Sequence, residues 1–93
     1  MKVLSNVDLD RIEEVFGEDY IKTINENINL IDENVKLLEK LKFDDIEEIF
    51  ERCPDIFIYN ANEFETKINK LIKKLGEKYV EKIEEDISII KNL

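Results

Sequence analysis

Histidine and tryptophan are both absent from this chain of 93 residues. Without histidine there is no imidazole to relay a proton near neutral pH or to ligate zinc. The two serines, Ser5 and Ser88, stand in no nucleophile motif. The single cysteine, Cys53, has no partner for an intramolecular disulfide and sits on an apolar face before Pro54. It reads as a buried structural thiol suited to a reducing compartment. One proline and two glycines leave little material for loops. No run approaches the roughly 18 apolar residues of a membrane span. The start, Met1-Lys2-Val3-Leu4-Ser5-Asn6, lacks the apolar core of a signal peptide. These absences point to a non-enzymatic, cytoplasmic protein with no cofactor, no metal and no membrane association.

Charge and hydrophobic spacing are what the chain has instead. Charged residues make up 40% of it and the formal net charge is −9. Such a balance repels nucleic acid and anionic lipid. The carboxylate pairs Glu13-Glu14, Asp44-Asp45 and Glu47-Glu48 lack the loop of a calcium site and read as solvated faces. The exception to the acidic balance lies between residues 66 and 82. Six lysines there, Lys67, Lys70, Lys73, Lys74, Lys78 and Lys82, face two glutamates, a local balance of +4. They are the candidate docking patch for an acidic partner or phosphate, against the plainer reading of a solvated face. Gly76 divides them between two helices around one corner. Apart from Tyr79, no aromatic residue is interleaved to stack on bases.

Apolar residues recur at helical steps, and the pattern repeats. Leu9–Phe16 shifted by 34 positions falls on Phe43–Phe50, with five of eight residues identical. The same offset pairs Leu37 with Leu71 and Leu41 with Leu75, and then Ile49 with Ile83. A fixed period of this size marks stacked supersecondary units. The spacing predicts an all-α, solenoid-like short repeat bundle of about five helices in one domain, 1–93. Its units are about 9–42, 43–76 and a partial 77–93. The helices are expected at about 8–16, 18–41, 45–52, 63–75 and 77–91. Ser5–Asp8 reads as a capping-box variant, Gly17 and Gly76 as left-handed helix ends, and Asp44 as an N-cap. Pro54 stops the third helix before a 3₁₀ turn, and Asn60 or Asn62 caps the fourth. The seam Ile21, Ile24, Ile28, Ile31, Val35 and Leu38 is expected in the core, or else at the contact of a homodimer. Asn25, Asn27, Asn29 and Asn34 read as surface decoration on that helix.

A 34-residue helical unit invites comparison with tetratricopeptide repeats, but the Trp and the small alanine positions are missing, Ala61 being the lone alanine. The middle unit resembles the mitochondrial transcription termination factor (mTERF-type) repeat. It has a short helix ending Arg52-Cys53-Pro54-Asp55-Ile56-Phe57, then a long helix ending Lys73-Lys74-Leu75-Gly76. The likeness is best over 43–76 and implies nucleic-acid binding, here through the lysine corner 67–82. The residues themselves favour a protein–protein interaction module with an unidentified protein partner. That partner is a basic one if the acidic helical surface is what it meets.

Overall fold

Backbone torsion at a few residues decides where these helices stop. The computed structural model describes residues 9–91 and Leu93. Helix α1 spans Leu9–Phe16 and ends at Gly17, whose N–H donates to Glu13 O at 2.7 Å. Gly17 has φ 98 and ψ 164, and Gly76, which closes α5 (Ala61–Leu75), has φ 85 and ψ −161. Both carry the positive φ expected, but with an extended ψ rather than the left-handed helical one. That region is open essentially to glycine alone. No atom lies within 4 Å of a Cβ built at either site, so torsion and not crowding fixes the residue. The expected Ser5–Asp8 cap lies outside the described residues.

The two long helices foreseen are each broken, so seven α-helices rather than five occur among the described residues. The first break is Asn27, between α2 (Glu18–Glu26) and α3 (Ile28–Lys40). Its side-chain amide donates to Thr23 O at 2.8 Å, and its N–H is shared between Thr23 O and Ile24 O. An asparagine that binds the helix's own carbonyls offers the backbone an alternative to the regular ladder. The kink turns Ile28 out to 37% exposure, while Ile24, Ile31, Val35 and Leu38 of the same seam are buried. The second break is Asp86, between α6 (Tyr79–Glu85) and α7 (Ser88–Lys91). Its carboxylate accepts from both the N–H and the hydroxyl of Ser88 and so opens a new turn.

Helix α3 closes with a Schellman arrangement. Lys42 takes φ 71, Phe43 N–H donates to Leu38 O at 3.2 Å, and Lys42 N–H donates to Glu39 O at 3.0 Å. The chain then enters α4 (Ile46–Arg52). Asp44 does not cap it. Glu84, on α6, accepts from the N–H groups of Asp44 and Asp45, so a carboxylate some 40 residues away serves the helix start. Pro54 opens the 3₁₀ turn Pro54–Ile58 as expected. Asn60 caps α5, its side-chain oxygen accepting from Asn62 N–H at 2.9 Å.

Helix α3 is the axis of the packing, touching α2, α4, α5 and the 3₁₀ turn. Three phenylalanines join the elements around it. Phe50 on α4 stacks on Phe57 of the turn at 5.2 Å, and Phe57 meets Phe64 on α5 at 5.9 Å. All three are fully buried. Asn34 is buried among them rather than on the surface, at 1% exposure. Its amide donates to Phe57 O and Tyr59 O, each at 2.8 Å, and so ties the turn to α3. The Cα radius of gyration is 12.7 Å, close to the roughly 12 Å expected of a globular chain this long.

Candidate functional site

The longest helix, α5, presents different chemistry on its two sides. Phe64 and Ile68 are buried against the core. The steps of three and four between Lys67, Lys70 and Lys74 place these lysines along one flank. Leu71 and Leu75 lie beside them, half-buried, and Ile89 of α7 and Leu93 stand opposite. Together these residues line an open groove of about 630 Å³ with an apolar floor and a lysine rim.

The six lysines do not form one patch. Lys67 is engaged: its ammonium donates to Leu93 O at 3.2 Å and stands 5.2 Å from the centre of the Tyr59 ring. Lys82, on α6, donates to Leu75 O at 2.8 Å, where a cation suits the carbonyl end of α5. Lys73 and Lys78 are exposed and do not line the groove. Lys70 and Lys74 are exposed on its rim, and among the described residues neither makes an ion pair. The corner thus holds two lysines available for a ligand at the groove, one shared with the chain's own carbonyl, and three elsewhere. The apolar floor was only half visible in the sequence. Leu71 and Leu75 read simply as core, and Ile89 and Leu93 carried no signal of their own.

A smaller cleft of about 340 Å³ opens between α1, α4 and α7, with Val15, Phe16 and Ile87 in its wall. The apolar face expected on α1 is only partly covered. Ile12 is buried, whereas Leu9, Val15 and Phe16 are exposed.

Neither concavity gathers the groups of a metal site. No set of three or more Cys, Asp or Glu residues able to hold an ion occurs among the described residues. No described helix is long and apolar enough to cross a membrane. The Tyr20 hydroxyl donates to Asp55 and so joins α2 to the 3₁₀ turn. Burial first, and then that carboxylate, raise its pKa above the usual phenol value. Cys53 is buried and its thiol donates to Ile49 O at 3.1 Å. Burial, with a smaller contribution from Asp55, pushes the thiol up to about 11 against the opposing charges of Lys91 and Arg52. A rise of this size lowers the thiolate fraction at pH 8 about a hundredfold. Iodoacetamide should therefore alkylate Cys53 at least about a hundred times more slowly in the folded chain than in urea, as read by mass spectrometry. Equal rates would refute the buried placement.

No protein-family model matches the chain, and no curated protein or solved structure does.

Proposed function

We propose that the chain is a non-enzymatic, cytoplasmic interaction module, a short mTERF-like stack of helical units that binds another protein. The observation that carries this reading is the groove on α5. It is the larger of the two concavities described above, it is apolar at its floor, and the lysines of its rim have no carboxylate in the lining to form an acid–base pair. Concave, mostly apolar sites with a few placed charges are binding sites by their physics.

The repeat part of the proposal is supported by the element positions. Moved by 34 residues, α3 falls within α5, α4 falls on α6, and the 3₁₀ turn falls on α7. The units differ after their short helix: α2 comes next in the first, a single 3₁₀ turn in the second. The acidic remainder of the surface, net −11 over residues 1–65, suits a basic stretch of the same partner.

Nucleic-acid binding through the lysine corner is the second reading, and the unpaired Lys70 and Lys74 speak for it. The spread of the other lysines and the net charge of −9 speak against it. The test is a titration into labelled duplex DNA and single-stranded RNA at low and near-physiological salt. The expected result is no binding at micromolar protein once salt is near physiological. Binding that survives there, with a salt slope that counts phosphates, would replace the protein-binding reading with the second one.

A further inference from the structure

We propose that the groove between α5 and α7 seats one amphipathic helix of a partner protein. That helix is apolar along the face meeting Leu71, Leu75 and Ile89, and acidic along the edge meeting Lys70 and Lys74. The inference rests on the protein-binding reading and specifies its ligand.

The fold contains its own precedent for such an occupant. Helix α5 packs along α3, and Lys67 of α5 covers Tyr59. The α3 residues Leu37 and Leu41 are partly buried, as are Leu71 and Leu75 on α5. The 34-residue offset carries Leu37 to Leu71, Leu41 to Leu75 and Tyr59 to Leu93. These are residues of the groove. Among the described residues no helix lies along this flank of α5 as α5 lies along α3. The lined stretch from Lys67 to Leu75 is about two turns, or roughly 12 Å. A helix of about three turns with anchors at i, i+3 or i+4, and i+7 matches it.

Charge selects the kind of helix. On α3, Lys36 is paired with Asp32 at 3.2 Å, and Glu33 and Glu39 are its acidic neighbours. At the positions 34 later these acids are Thr66, Lys67 and Lys73. Lys70, the counterpart of Lys36, therefore lacks the carboxylate that its predecessor has one turn away. The flank keeps the apolar residues of the earlier unit and exchanges its balanced charge for a positive one. A carboxylate row on the incoming helix would neutralise it. A second copy of this chain supplies no such row in the needed form. Its acidic helix α1 exposes Leu9, Val15 and Phe16 but is eight residues long, short of the three turns sought, and its Ile12 is buried against neighbouring helices.

The probes are two labelled synthetic helices of about 14 residues with the same leucine stripe, one flanked by glutamate and one by lysine. Each is titrated against the full chain and against the double variant Lys70→Glu/Lys74→Glu, whose far-UV circular dichroism should match that of the parent. The glutamate helix is expected to bind saturably, to shift NMR signals on α5 and α7, and to lose about tenfold in affinity against the double variant. Stronger binding of the lysine helix, or no effect of the double variant, would overturn the groove assignment while leaving the protein-binding reading in place. No saturable binding of either helix below about 1 mM would overturn it as well. Sedimentation that reveals a dimer dissolved by the same two substitutions would put a second copy in the groove and overturn the partner helix. Nucleic-acid binding at near-physiological salt would remove both readings together.

Discussion

Replacing Phe57 with alanine will cost about 3–5 kcal/mol, a large part of the roughly 5–14 kcal/mol that holds a domain of this size together. Phe57 is the middle ring of the Phe50–Phe57–Phe64 series and is fully buried. Its removal leaves a cavity bordered by α4 and α5, and neither neighbouring ring can fill it without giving up its own packing. At about 4–8 °C per kcal/mol, the melting temperature should fall by at least about 12 °C. Phe16→Ala is the matched control. Phe16 is 36% exposed, at the far end of α1, where truncation removes less buried area. Thermal denaturation followed by circular dichroism compares the two. If Phe57→Ala melts within a few degrees of the parent, the three rings are not the mechanical centre of the fold.

The same region shows what one sequence discloses and what it withholds. Helix α5 was legible because its signals are local: Asn60 at the start, Gly76 at the end, and Phe64 and Ile68 at helical spacing. Pro54 announced the 3₁₀ turn for the same reason, since a missing N–H acts on its own residue. The breaks at Asn27 and Asp86 were not legible. Both residues tolerate a helix, and only the geometry of their side chains against nearby backbone groups turned them into kinks. Still less visible was Glu84, whose carboxylate serves the start of α4 across about 40 residues of chain. The lysine segment was visible as charge, but helical phase decided its use. Lys70 and Lys74 share a rim with Leu71 and Leu75, Lys73 points elsewhere by one position, and Lys82 caps α5. The groove floor needed Ile89 and Leu93, which approach α5 only through the break at Asp86 and the turn of α7.

Asn34→Leu is the second large effect expected, a loss of about 2–4 kcal/mol despite the added apolar volume. The parent amide gives one N–H to Phe57 O and the other to Tyr59 O, both at 2.8 Å, from a side chain that is 1% exposed. Leucine has no donor, so the buried Phe57 carbonyl loses its partner without gaining water, and the part-buried Tyr59 carbonyl loses its bond to α3. Asn34→Asp preserves shape and tests the donors alone. At pH 7 a carboxylate in that place would face two carbonyl oxygens, so the loss should exceed that of leucine. Such an environment raises the folded-state pKa of the carboxyl above its unfolded value. The stability it contributes is then present at acid pH, where the protonated form donates once, and is lost as pH rises through the folded pKa. The gap between Asn34→Asp and the parent in urea denaturation should therefore narrow as pH falls from 7 to 5. A gap that stays constant with pH, or a leucine variant as stable as the parent, would mean that the turn is held by its phenylalanines alone. Phe57→Ala keeps the carbonyl that Asn34 binds but loosens the turn that presents it, so the combined cost of Asn34→Leu and Phe57→Ala should differ from the sum of the single costs by about 0.5–3 kcal/mol.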